Sequence, residues 1–268
     1  FGTPLSEGGE VSVLERAGAA AQPLAEAIGA QVRQSRVIRS DETSCRVHGR
    51  NWWEWVFVGE AGDYHLIRPS RGQDVIDEFI GEATPDVWVS DCWKPQLKAP
   101  ARHRQLCLAH QIRALQGLIE RRPRLRWARE LQALFRAAIH LGKRRATLTR
   151  RGFHRQVTIL ERRLDRLLRR PVLGRLAQNL RTRYRTHRQQ LLLFLYRADV
   201  PADNNASERA LRPSVVHRKV MGSFRSEWGA QAYAALATVF NTAKQAGENI
   251  FHKLVTLMGK PVLHYLQP

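Results

Sequence analysis

Arginine is spread along this chain so unevenly that the imbalance limits which folds the chain can adopt. Residues 92–207 hold 25 arginines and 3 lysines against 6 acidic residues, a net of +22, while the remainder holds 16 basic and 18 acidic groups. Guanidinium groups cannot be turned into a core without partners, because an unpaired buried ion is too costly. The middle segment must therefore fold amphipathically, with its charge outward and apolar stripes inward. An ordinary solvated helix face mixes both signs, since like neighbours repel. So large an excess needs a polyanion, either nucleic acid or an anionic membrane surface. No apolar run approaches the ~18 residues that a membrane span needs. Arginine also favours planar, forked contacts to phosphate. The segment is expected to meet a nucleic-acid backbone.

Around this segment the periodicity divides the chain. Residues 1–32 are rich in Ala and Gly with little pattern, and read as a linker, tail or frayed helix. With Phe1 at its start and methionines only at Met221 and Met258, the chain is expected to be the truncated end of something longer. From Arg33 the texture is that of strands. Val37–Val47 alternates loosely around Asp41, Trp52–Val58 is aromatic and β-branched, and Tyr64–Ile67 ends at Pro69, with turns at His48-Gly49 and Ala61-Gly62-Asp63. Gln73–Ile80 has helical spacing, and Val87-Trp88-Val89 is a fourth, buried strand that runs into Ser90-Asp91.

From about Gln105 the period becomes helical. Trp127, Leu131, Leu134, Phe135 and Ala138 share one face; Val157, Leu160, Leu164 and Leu167 form a second, and Leu173, Leu176, Leu180 and Tyr184 a third. A short helix over Ala206–Leu211 is stopped by Pro213; others cover Trp228–Ala246 and Ile250–Met258, leaving 259–268 as a tail. With 43% apolar residues in 268, a sizeable core can be filled. The three cysteines, Cys45, Cys92 and Cys107, argue against a disulfide scaffold and for a reducing, cytoplasmic setting.

Three acids stand out. Asp41 falls within the first strand and Asp91 at the end of the fourth. A carboxylate partly buried at a strand end needs a partner or a cation, although each aspartate alone also reads as a turn former or cap. Glu208, three residues after Asn205, resembles the glutamate of a capping box, which does not prevent it from ligating metal. Together the three suit a pair of Mg²⁺ ions, which need shared carboxylate oxygens and clamp the attacking and leaving oxygens of a phosphodiester.

Motifs carry the argument further. Ser40-Asp41-Glu42-Thr43 resembles a D-E-T motif, Ser90-Asp91-Cys92-Trp93-Lys94-Pro95 an H-D-G-W segment, and Cys107-Leu108-Ala109-His110 the C-x-A-H step that follows it. The longest match is Asp203-Asn204-Asn205-Ala206-Ser207-Glu208-Arg209-Ala210-Leu211-Arg212-Pro213, continuing through Arg218-Lys219 to Gly222-Ser223-Phe224-Arg225-Ser226. In this order and spacing the chain resembles the DDE transposases of the insertion sequence 66 family over about residues 33–258. The resemblance implies an α/β, RNase H-like mixed sheet, interrupted at about 105–200 by a large basic helical insertion and followed by C-terminal helices. It implies Asp41, Asp91 and Glu208 as a catalytic triad holding two Mg²⁺ ions, with Mn²⁺ able to substitute. The implied reaction is phosphodiester cleavage and strand transfer in transposition, at the bacterial nucleoid and away from membranes. Its partners are double-stranded DNA (terminal inverted repeats and target) and a second copy of the chain on that DNA. Arg209, Arg212, Arg218 and Lys219 are then DNA contacts, against the plainer reading of surface charge near a helix end. The family's upstream end-binding region is expected to be missing.

The chain departs from the family pattern at Ser44, Ser90 and Cys92, which stand where glycine, histidine and glycine are usual. A Cβ at 92 is expected to crowd a backbone that must approach substrate. Cys107-x-x-His110 offers two zinc ligands without a second pair, so Cys107 reads better as a small buried apolar group. Trp52, Trp53 and Trp55 suit stacking on unpaired bases, but alternation puts Trp53 and Trp55 on one face and some of them in the core; Trp228 also reads as core. Two other functions fit the same residues: a nuclease that hydrolyses DNA without strand transfer, and a decayed or domesticated, non-catalytic DNA-binding protein.

Overall fold

In the computed structural model, which describes residues 6–259, α1 (Glu7–Arg33) leads into strands β1 (Val37–Val47), β2 (Arg50–Val58) and β3 (Asp63–Arg68). Then come α2 (Gln73–Ile80), β4 (Val87–Ser90), α3 (Lys94–Leu97) and β5 (His103–Leu106). A run of helices follows: α4 (Leu108–Arg121), α5 (Arg126–Lys143), α6 (Arg150–Arg169) and α7 (Arg175–Thr186). The described chain closes with α8 (Asn205–Met221), α9 (Glu227–Gln245) and α10 (Ile250–Leu257). The strand order is β3-β2-β1-β4-β5, antiparallel among β1, β2 and β3 and parallel between β4 and β5. A mixed five-stranded sheet followed by many helices is the RNase H-like α/β class expected above. No helix among the described residues is long and apolar enough to cross a membrane.

By compactness the chain divides into two units. One holds the residues up to Asp86, Lys94–Pro100 and those from Asn205; the other holds Val87–Trp93 and Ala101–Asn204.

In the first unit, β1 and β2 form a hairpin whose turn, His48-Gly49, has positive φ at both residues (49° and 70°). This is the two-residue turn whose twist suits a hairpin. Residues 7–33, read above as a linker or frayed helix, form a packed helix instead. Ser6 caps it by accepting a hydrogen bond from the Gly9 amide at 3.2 Å. Its buried face is made of Ala17, Gly18, Ala21, Ala25, Ile28, Gly29 and Val32. Small residues let the helix approach closely: a Cβ on Gly18 would lie 2.4 Å from Ala232 Cβ of α9. That stripe carries little hydrophobicity, which is why its helical period was faint in the sequence.

Two further expectations fail here. Pro213 does not stop α8, which runs on to Met221. Pro213 is exposed and removes one helix hydrogen bond, and contacts of Ser214 and Arg218 beyond it hold the helix together. Trp228 is 42% exposed, while Ala230, Ala234 and Ala235 of the same helix fill the core.

In the second unit, Trp127, Leu131, Leu134, Phe135 and Ala138 are buried as expected, and so are Val157, Leu164 and Leu167. Trp127 Nε1 donates to the Leu167 carbonyl at 3.0 Å, tying α5 to α6. The third stripe is not one: Leu173 and Leu176 are exposed, because α7 begins only at Arg175 and buries Ala177 and Tyr184. A fifth strand also went unread. Gln105 lies in β5 opposite Val89, not at the start of a helix. Its buried amide accepts from the Phe194 N–H at 3.0 Å and donates to the Leu191 carbonyl at 3.1 Å.

Candidate active site

Strand alternation in the first unit separates two sets of side chains on β1. The register pairs Arg39, Asp41 and Thr43 with Val58, Val56 and Glu54 of β2, and directly opposed residues share a face. On that face Val56 and Val58 pack against Ala206, Ala210 and Leu211 of α8. Asp41 therefore lies on the face that α8 covers, and half-buried Glu208 sits in the first turn of that helix. α8 begins at Asn205, so Asn205 is its first residue and not the N-cap. One oxygen of Asp41 accepts the Glu42 N–H at 3.0 Å, which orients the carboxylate.

Two anchors hold α8 in place. Ser214 donates to Glu54 Oε1 at 2.7 Å, and His65 Nδ1 lies 2.8 Å from the same oxygen. Asn241 Nδ2 meets His65 Nε2 at 3.0 Å and the Ala210 carbonyl at 3.3 Å; Tyr233 donates to Ser214 at 3.1 Å. Glu54 and His65 are 1% and 2% exposed, so the network is sealed. The second anchor is Arg218, whose guanidinium donates to the Ser44 carbonyl, to Ser44 Oγ at 3.0 Å and to Thr43 Oγ1 at 3.2 Å. Arg218, expected to touch DNA, grips β1 in this structure, and Ser44 supplies one acceptor that glycine would lack.

The opposite face of β1 holds Ser40 and Glu42. Arg71 reaches Glu42 Oε1 with Nε at 3.0 Å and a terminal nitrogen at 2.9 Å, and Gln96 reaches Oε2 at 2.9 Å. The Arg71 guanidinium lies over the Trp53 ring, 4.4 Å from its centroid. Trp53 is thus engaged, while Trp55 is fully buried with its indole N–H on the Ser70 carbonyl. This clamp beside Asp41 was not read from the sequence. The one hint was an acidic residue next to another in a strand.

The motif after α8 is also mounting. Gly222 turns the chain with φ 80°, and Phe224 bridges to Val47 at the end of β1. Phe224, His217 and Tyr233 form a ring cluster, and Ser226 caps α9 by accepting from the Gly229 N–H.

In the second unit, Asp91 follows β4 and accepts the Trp93 N–H at 2.7 Å, an Asx turn that fixes its carboxylate. The Cys107 N–H donates to the Ser90 carbonyl at 2.8 Å, and Cys107 Sγ, fully buried, accepts from the Asn204 N–H. Cys92 does not need glycine's freedom, since His48 alone among the described non-glycine residues has positive φ. Burial pushes the Cys92 thiol up to about 11, so it stays protonated; Gln111 lies 3.4 Å from its sulfur.

Four acids of this unit are consumed by arginines within it. Arg188 binds both Glu161 and Asp165, Arg170 binds Glu130, and Arg197 binds Asp199. On α6, Arg151, Arg155, Arg162, Arg166 and Arg169 are exposed and recur at spacings of three, four and seven, a stripe along one face. In the first unit Arg209, Arg212 and Lys219 are likewise exposed.

The model of the Transposase IS66 family matches residues 1–232, from α1 through the sheet and the basic helices into α9. No curated protein matches the chain.

Proposed function

The chain belongs to the IS66 family of transposases and carries its DDE domain, and from that premise we propose that it cuts and rejoins DNA at the ends of an insertion sequence. Asp41, Asp91 and Glu208 are the metal-binding carboxylates of this reading. Their donor set is all hard oxygen, the ligand type that Mg²⁺ takes, with Mn²⁺ as a substitute. When bound, two such ions supply the charge that stabilises the attacking and leaving oxygens.

The chain's own residues do the positioning. Backbone N–H groups of Glu42 and Trp93 hold Asp41 and Asp91 in fixed orientations, as preorganised sites require. Arg209, Arg212 and Lys219 hold phosphates of the DNA end, and Arg218 keeps β1 against α8. The arginine stripe of α6 holds duplex backbone at residues that no acid among the described residues neutralises. The basic insertion at about 105–200 is thus the DNA-holding part of an RNase H-like catalytic domain. Terminal inverted repeats, target DNA and a second copy of the chain are the partners, met in the cytoplasm at the nucleoid.

The observation that most supports this reading is the docking of α8 on the Asp41 face of β1 and β2. Its test begins with Mn²⁺ binding, which should fall sharply in Asp91→Asn. Glu208→Gln should abolish cleavage and spare DNA binding. Joining of a pre-cut end to target DNA supports transposition; hydrolysis alone would mark a nuclease. DNA affinity with no metal binding would mark a non-catalytic binder.

A further inference from the structure

A cavity of about 630 Å³ in the first unit lies outside the three carboxylates. Its size is that of a small-molecule site. Arg39 of β1, Arg209 of α8 and Lys244 of α9 line it, against Glu60 and Asp63. Arg209 and Lys244 are exposed, whereas Asp63 is 1% exposed, so cations stand at the mouth and a carboxyl at the floor. Burial pushes the Asp63 carboxyl up, against a hydrogen bond from Gln245 and the pull of His65, Arg39 and Arg209. Its Oδ1 is buried with no hydrogen-bond partner among the described residues. Native interiors rarely leave an acceptor so, and each case asks for a cause.

The two ends of the cavity want different chemistry. Exposed Arg209 and Lys244 suit an anion such as phosphate. The buried acceptor wants an N–H donor. A nucleotide carries both on one molecule. We propose that this cavity takes a single nucleotide, its phosphate on Arg209 and Lys244 and an N–H of its base donated to Asp63 Oδ1. The nucleotide is an unstacked member of the bound strand, in which case the inference rests on the DNA reading above, or a free one with the same chemistry.

The full chain is titrated calorimetrically with dGMP, deoxyguanosine and inorganic phosphate. A parallel titration uses a duplex with a single-stranded extension containing 2-aminopurine. Binding of dGMP is expected, with deoxyguanosine and phosphate each about tenfold weaker or more, and with Lys244→Glu and Asp63→Ala each weakening dGMP about tenfold. Lys244 is exposed, so its substitution keeps the test decisive should Asp63→Ala not fold. A rise in 2-aminopurine fluorescence on DNA binding, lost in Lys244→Glu, assigns the nucleotide to the strand; dGMP binding without that rise assigns it to a free nucleotide. Phosphate binding as tightly as dGMP, dGMP binding unchanged in both variants, or no dGMP binding at all overturns the proposal. Failure to bind any DNA would instead sink the transposase reading, while the dGMP titration still decides the cavity.

Discussion

Ser214 of α8 donates a 2.7 Å hydrogen bond to Glu54 of β2 in a position closed to water. Removing the donor leaves a buried carboxyl oxygen with one partner fewer. Ser214→Ala is expected to cost about 1–3 kcal/mol, and Glu54→Ala, which strands both His65 and Ser214, about 3–5 kcal/mol. Urea unfolding measures both. A Ser214→Ala cost near zero would show that α8 is not held here.

Arg212 and Arg218 share a helix yet have different partners, solvent for one and β1 for the other. Arg212→Ala should weaken DNA binding across sequences and lower the salt slope by about one, with no change in melting. Arg218→Ala should lower stability by about 1–3 kcal/mol and change the salt slope less. Binding titrations at several salt concentrations, with melting curves, separate the two. The reverse pattern would return Arg218 to the DNA.

Gly18→Ala pits two effects against each other. Alanine gains up to about 1 kcal/mol in helix propensity, but its Cβ would lie 2.4 Å from Ala232 Cβ and 3.0 Å from its Cα. Backbone cannot swing aside as a long side chain can, and overpacking costs about 1–3 kcal/mol. Net destabilisation is expected in a thermal melt; a raised melting temperature would mean that α1 and α9 separate easily.

Asp63 makes stability depend on pH. Burial raises its folded-state pKa, so the neutral carboxyl is favoured in the fold. That contribution is fully present below the unfolded carboxyl range and is lost as pH rises through the folded value. Asp63→Asn, which cannot ionise, should therefore be more stable than the parent near neutrality. The gap should shrink on acidification. Urea midpoints at about pH 7 and about pH 4 check the sign, and a gap that widens in acid contradicts it.

The first four strands and α2 were legible because alternation and turn residues mark them, and Asp41, Asp91 and Glu208 were legible as a motif. What the sequence hid has common causes. Gln105 is polar yet buried, satisfied by backbone groups at residues 191 and 194 that lie far along the chain. α1 buries glycine and alanine, whose contribution lies in close approach and not in hydrophobicity. Pro213 obeys a local rule that Ser214 and Arg218 overrule through tertiary contacts. Glu54 and His65, polar residues inside apolar strands, were the one visible trace of the network that seats α8. In the later part of the long motif around Glu208, Arg218, Gly222, Phe224 and Ser226 are mounting.

The Gly18–Ala232 contact bears on how this protein can be trimmed for experiment. Strand texture begins at residue 33, an inviting place to start a minimal catalytic fragment. Such a fragment would lose α1 and uncover Ala232 together with the Tyr64 ring, which packs within about 3 Å of where a side chain on Gly29 would sit. Newly bared small-residue faces of this kind are sticky towards one another, so the fragment should self-associate at working concentrations. An inactive preparation of it would report clumping, not a faulty set of carboxylates.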